Sequence, residues 1–226
     1  KQQTKSLVIS PKRGIIYDAN GKILARSTAV STISVNPNKI FYSNDTVVSN
    51  ELLAKKFSEL FDLNYDDVFK DLTSKSSVVT VAKKVSLDKS DELKKWLLEN
   101  DITSGINIDE DTKRSYPYST LASHLIGFCG SDNQGLEGLE SEWDSTLSGT
   151  SGRIVTTTDV KHNIISDENE QYVPAENGSD IYLTIDVNVQ STVEKYLKQA
   201  VEENKADSGI CIIMNPANGD ILSMAN

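Results

Sequence analysis

Residues 114–152 read RSYPYSTLASHLIGFCGSDNQGLEGLESEWDSTLSGTSG. The stretch holds an aromatic-proline turn at Tyr116-Pro117 and an apolar run, Leu125 to Cys129, that closes on glycine. A Gly-Leu-Glu repeat, an amphipathic segment and a Gly-rich exit at Gly149 and Gly152 follow. It divides an N-terminal half of short strands and helices from a C-terminal half that reads differently. Ser131-Asp132-Asn133 lies inside it and has the composition of a polar turn.

N-terminal to this stretch, Ile15-Ile16-Tyr17 and Ile23-Leu24-Ala25 flank Asp18-Ala19-Asn20-Gly21. Asn-Gly between apolar runs predicts a hairpin, because both residues tolerate positive φ. The same acidic start resembles a calcium loop, but the later ligands and closing Glu of such a loop are missing. Thr32 to Val35 predicts a further strand. Leu52, Leu53, Phe57, Leu60 and Phe61 follow the helical period, and a second short helix fits 66–72. VVTVAKKV predicts a strand, and Leu93, Trp96 and Leu97 mark a helix that runs to about Asn100. Ile106 and Ile108 predict a strand leading into Asp109-Glu110-Asp111, read as a solvated turn and not a metal site.

C-terminal to it, Arg153 to Thr158 predicts a strand and residues 159–180 a polar loop. Residues 181–185 predict another strand. Asp186 is placed to cap a helix with Val189, Val193, Leu197, Ala200 and Val201 on one face. Gly209 to Met214 and Ile221 to Ala225 flank Asn218-Gly219, a second hairpin. The fold class is therefore α+β.

The chain has 226 residues, 38% apolar and 25% charged, with net charge -10. An acidic balance argues against nucleic acid, whose phosphates attract basic surfaces, and against a polybasic membrane role. No apolar run reaches the ~20 residues that a spanning helix needs. Cys129 and Cys211 lie in apolar runs and are expected as buried free thiols. The chain opens on KQQTKS without an initiator Met and closes on ILSMAN. Both ends suggest a piece of a longer protein.

Few residues carry chemistry. His124 and His162 have no second ligand at metal spacing, and His124, in an apolar-spaced segment, is expected to be packed or hydrogen-bonded. No Walker A, GxGxxG or GxSxG string occurs, and no cofactor is expected. Ser86-Leu87-Asp88-Lys89 matches S-x-x-K and Ser131-Asp132-Asn133 matches S-x-N, two of three elements of a penicillin-recognising serine acyltransferase. The third, Lys-Thr/Ser-Gly, is absent, since Lys161 is followed by His162-Asn163. Ser86 also precedes a charged helix, where serine is an ordinary N-cap. A self-contained enzyme using Ser86, Lys89 and Ser131 is the alternative to a non-catalytic module, and a generic extracellular binding domain is a third reading.

Arg13-Gly14-Ile15-Ile16-Tyr17-Asp18-Ala19-Asn20-Gly21-Lys22-Ile23-Leu24-Ala25 resembles the R-G-x-I-x-D-R-N-G-x-x-L-A motif of class B penicillin-binding proteins, with Ala19 in place of the usual Arg. Arg114-x-Tyr116-Pro117, then Ala122, His124, Ile126, Gly127 and Phe128, resembles the family's next motif. Gly138-Leu139-Glu140, Trp143-Asp144, Leu147, Gly149 and Gly152 resemble the one after. Leu183-Thr184-Ile185-Asp186 with Gln190 and Glu194 resembles the entry to the transpeptidase domain. The string from Met214 to Ala225 resembles its first hairpin.

The resemblance implies an elongated α+β pedestal, or dimerisation domain, over 1–179, and an incomplete strand-helix-hairpin start of a transpeptidase domain over 180–226. It implies a parent that cross-links peptidoglycan stem peptides through an acyl-serine, which β-lactams also acylate, beyond Asn226. It also implies an N-terminal transmembrane anchor and an extracytoplasmic site. The implied partners are its own transpeptidase domain, a lipid-linked glycan polymerase and other cell-wall synthesis proteins, and a second copy. Structural roles are expected for Arg13, Gly14, Asp18, Gly21, Arg114, Tyr116, Pro117, Gly138, Glu140, Gly149, Gly152, Arg153 and Asp186. Arg13, Arg114, Glu140 and Arg153 are candidates for paired charges, and the glycines for tight turns. Residues 181–226 are expected to be less ordered, or to pack on a neighbouring chain, because an apolar hairpin with a bare edge invites pairing.

Overall fold

A computed structural model describes residues 3–42, 50–158 and 171–226. The chain begins with β1 (Gln3–Ile9), β2 (Ile16–Tyr17) and β3 (Ile23–Val35). β2 and the start of β3 form the expected hairpin, with Ile16 opposite Ala25 and Gly21 at φ 78° in the turn. The strand expected at Thr32 is the far end of β3, which continues without a break from Ile23.

One compact unit covers Thr28–Lys113. It contains β4 (Phe41–Tyr42), α1 (Asn50–Phe61), α2 (Tyr65–Leu72), β5 (Val79–Val85), α3 (Leu87–Glu99), β6 (Ile102–Ser104) and most of β7 (Ile106–Ser115). α1 buries Leu53, Ala54, Phe57 and Leu60, the i, i+1, i+4, i+7 stripe of an amphipathic helix, while Leu52 is exposed. Asn64 caps α2, its side-chain oxygen accepting from Asp66 N at 2.9 Å and Asp67 N at 3.3 Å. Phe57, Leu53 and Leu93 are fully enclosed with Ile33 and Val35 of β3. Each such side chain contributes about 1.5–3 kcal/mol relative to exposure. β5 runs antiparallel to β3, Val35 facing Val79.

The acidic trio is not a turn. β7 runs through it as strand. Asp111 is held by Lys84 Nζ at 2.8 Å and by the Thr32 hydroxyl at 2.7 Å. Burial alone would raise its pKa, but the bonds from Lys84 and Thr32 outweigh that and lower it.

The other unit joins Lys1–Ser27 to Arg114–Asn226. After β7 come α4 (Ser123–Ile126), α5 (Gly138–Glu142), α6 (Asp144–Leu147), β8 (Gly152–Thr158), β9 (Gln171–Val173), β10 (Ile181–Tyr182), α7 (Val187–Asn204), β11 (Cys211–Met214) and β12 (Ile221–Ala225). β8 lies between β1 and β9, antiparallel to both. β10 adds to β2 in parallel. Ile16, Leu24, Ala25, Ala122, Ile126, Leu147 and Val187 form the core here.

α7 starts where expected. Asp186 accepts from Asn188 N at 2.8 Å and Val189 N at 3.3 Å. Val187 and Val193 are buried; Ala200, placed on the apolar face by its spacing, is exposed. β11 and β12 pair as the second hairpin, with Gly219 at φ 82° in its turn. Its outer face carries Ile210, Ile212 and Met214 in alternation, all exposed.

Candidate functional site: a buried ion cluster

Glu140, in the short helix α5, is completely buried. A carboxylate without water must take all its donors from the protein. Oε2 accepts Arg13 Nε at 2.7 Å and the Cys129 thiol at 3.3 Å. Oε1 accepts Arg114 Nε at 2.6 Å and the Tyr116 hydroxyl at 3.4 Å. The backbone oxygen of Glu140 accepts Arg13 Nη2 at 2.7 Å. Both arginine side chains are 3% exposed.

Each arginine reaches further. Arg13 Nη1 donates to Asp144 Oδ1 at 2.6 Å and to the backbone oxygen of Asn133 at 3.2 Å. Arg114 Nη1 donates to the Gly14 oxygen at 2.7 Å. The planar, five-donor guanidinium suits this work, because one side chain ties several elements in fixed geometry. The cluster joins the segment before β2, the end of β7, the 129–135 turn, α5 and α6. Its two arginines balance Glu140 and Asp144.

The titrating groups are held in their resting forms. Burial and the Glu140 charge push the Cys129 thiol up to about 11. The same two causes raise Tyr116. Burial would raise Asp144, but the Gly135 N–H at 2.8 Å and Arg13 outweigh it and hold the carboxyl below its usual range. Burial works against the Arg13 charge, and its bonds to Glu140 and Asp144 more than offset that. A protonated thiol and a fully engaged carboxylate offer no activated nucleophile. They do hold backbone.

Gly14 and Gly138 let the cluster close. A Cβ on Gly14 would lie 1.9 Å from the Ser179 oxygen, so the two backbones touch here. Gly138 sits at φ 59°, backed against Gly127.

A second clamp lies at Asp18, also fully buried. Oδ1 accepts Asn20 N at 2.8 Å and Lys22 N at 2.7 Å, closing the β2–β3 turn. Oδ2 accepts Val187 N at 3.2 Å. Asp18 and Asp186 thus share the free N–H groups of the first turn of α7. Among the described residues no group of acidic, His and Cys side chains is arranged to hold a metal.

The family model for the penicillin-binding protein dimerisation domain matches residues 8–183. The chain belongs to this family. Stage V sporulation protein D of Bacillus subtilis is 34% identical over 226 residues, covering 99% of this chain and 33% of that protein. The peptidoglycan D,D-transpeptidase FtsI of Escherichia coli K12 is 30% identical over 220 residues, covering 96% of this chain and 36% of its own length. The chain thus spans about a third of these curated relatives. A Helicobacter pylori penicillin-binding protein, PBP2, solved in complex with MreC, superposes with TM-score 0.70 at 20% identity, over 100% of this chain and 43% of that one. It shows the same fold.

The remaining motif residues of this penicillin-binding-protein module are placed as follows. Pro117 opens the turn closed by Ser119 N to Tyr116 O at 2.9 Å. Gly149 lies at φ 68° before β8, and Gly152 begins that strand against residues 173–175. Arg153 is exposed on β8 and stands outside the ion cluster. His124 is exposed on α4 and not packed, because Ala122 and Ile126 take the inward positions of that single turn. It lines a groove of about 510 Å³ with Leu125, Leu197, Val201 and Met224. Cys129 and Cys211 are free but only half-buried. Lys161 and His162 lie outside the described residues.

The residues of the enzyme alternative fall in both units. Ser86 and Lys89 belong to the unit Thr28–Lys113, and Ser131 to the other. Ser86 occupies the N-cap position of α3, though its hydroxyl makes no capping bond. Ser131 is exposed in a turn closed by Asn133 N to Gly130 O at 3.1 Å. The Cys129 contact to Glu140 was not legible from sequence. Asp144 lies in the next helix, α6, and its bond to Arg13 has no local signal in the sequence.

Proposed function

We propose that this chain is a non-catalytic scaffold and interaction module of a class B penicillin-binding protein. Residues 1–179 are its pedestal and residues 180–226 begin its transpeptidase domain. The parent cross-links peptidoglycan stem peptides by acyl transfer through a serine, the residue β-lactams acylate. It acts on the extracytoplasmic face of the membrane, held by an N-terminal transmembrane helix. Among the described residues no helix is long and apolar enough to cross a membrane.

The observation that carries the reading is the Glu140 cluster, in which both oxygens of the buried Glu140 carboxylate are engaged by side chains of the protein. The similar Escherichia coli protein is a peptidoglycan D,D-transpeptidase, which supports the parent's chemistry. The module's partners are its own transpeptidase domain, a lipid-linked glycan polymerase and a second copy. The Helicobacter pylori protein was solved in complex with MreC, which supports a further protein as a partner of the parent.

A fluorescent penicillin tests the assignment. The chain alone remains unlabelled. Covalent label at Ser86 or Ser131 would overturn the scaffold reading in favour of a self-contained enzyme.

A further inference from the structure

Gln190 is fully buried in α7 and uses its whole amide. Its oxygen accepts the Ser223 hydroxyl and Met224 N, both at 2.8 Å. Its nitrogen donates to the Met224 oxygen at 2.8 Å and to Glu194 Oε1 at 2.8 Å. The same Glu194 oxygen accepts Ala122 N at 2.7 Å. One unbroken chain of hydrogen bonds therefore runs from β12 through α7 to the residue that starts α4.

Ala122 is an unusual terminus for such a chain. It is 4% exposed and sits in the left-handed region at φ 53° and ψ 27°. A residue with a Cβ is disfavoured there and persists only when its surroundings hold it. Glu194 supplies a charged acceptor to its N–H, a stronger bond than a neutral one. Glu194, which holds the left-handed turn, is itself oriented by Gln190.

We infer that Gln190 and Glu194 form a relay that couples the left-handed turn at Ala122 to β12, so that the two ends open together and not independently. α4 and the C-terminal hairpin then behave as one cooperative piece, and a shift imposed on either is felt at the other. Such coupling is reciprocal and is carried by a contiguous hydrogen-bond network. The inference rests on the hydrogen bonds and does not depend on the proposed function.

Native-state hydrogen exchange in the full chain tests it. Gln190→Leu removes the bonds of β12 but leaves Ala122 N its own acceptor. The relay predicts that the Ala122 amide exchanges at least about tenfold faster in this variant. Conversely, Glu194→Ala accelerates the Met224 amide, whose acceptor on Gln190 is retained. The β8 amides, in the same unit, keep their rates. Acceleration confined to the end that lost its bond would overturn the relay. Equal acceleration throughout β8 would also overturn it, since that is general loosening. If Gln190→Leu fails to fold, Ser223→Ala removes one bond at the far end and is read at the same Ala122 amide, with the same two outcomes.

Discussion

Arg13 Nε and Glu140 Oε2 meet at 2.7 Å, with side chains 3% and 0% exposed. Arg114 meets the other oxygen of the same carboxylate at 2.6 Å. Three charges removed from water are costly to bury, and excellent geometry is needed to offset that cost. The geometry here also recruits Asp144, the Gly14 and Asn133 carbonyls, Tyr116 and Cys129. The result is a junction that fixes the ends of several short elements, none of which is long enough to be stable alone.

Substituting Gly14 tests how tightly that junction is closed. In Gly14→Ala the new methyl has no room beside the Ser179 oxygen, and backbone must move. The expected loss is about 1–3 kcal/mol or more of unfolding free energy. Gly21→Ala meets open space and carries only the left-handed φ of 78°, at about 1–2 kcal/mol. Urea unfolding should rank Gly14→Ala as the more damaging; the reverse order would refute the close approach.

Asp18→Ala leaves the N–H groups of Asn20, Lys22 and Val187 without their acceptor. The Val187 N–H is buried, and leaving it unpaired costs about 1–3 kcal/mol. The expected outcome is a lower melting temperature together with faster exchange of the Val187 amide. An Asp18→Ala protein with native melting would show that the turn and helix start do not depend on this carboxylate.

Acid should weaken the fold through Asp144. Its folded pKa lies below the ordinary carboxylate value because Gly135 and Arg13 outweigh its burial. Its contribution is therefore complete above the unfolded value near about 4 and is lost as pH falls through the lower folded value. Unfolding measured from pH 6 down to 2 should decline in that window. In Asp144→Asn the decline should be shallower. An unchanged acid limb would remove Asp144 from the account.

Cys129 should be inert in the folded chain. With its thiol pushed up to about 11, the thiolate fraction at pH 8 is about one in a thousand. Alkylation at pH 8, mapped by mass spectrometry, should spare Cys129 in the native protein and modify it in urea. Rapid native modification would contradict the thiol's place against Glu140.

Local chemistry was the legible part of the sequence. Both Asn-Gly hairpins, the Asp186 cap and the periods of α1, α2 and α3 are written in neighbouring residues. What depended on distant partners was not. β1 and β9 each pair with β8, and Gln3 lies opposite Thr158, so neither announces itself locally. Asp109-Glu110-Asp111 reads as a turn until Lys84 and Thr32 donate to Asp111 from other strands. The candidate site behaved likewise. Arg13, Arg114 and Glu140 pair as their motif positions imply; Arg153 faces solvent, and Cys129 reaches Glu140 only through the 129–135 turn.

The most direct measurement is the unfolding free energy of Glu140→Ala. Removing the carboxylate leaves Arg13 and Arg114 buried against each other without their shared acceptor. Urea denaturation should show a loss of about 3–5 kcal/mol. A change within about 0.5 kcal/mol, the range of an unremarkable surface substitution, would contradict the claim that this cluster is the junction of the module.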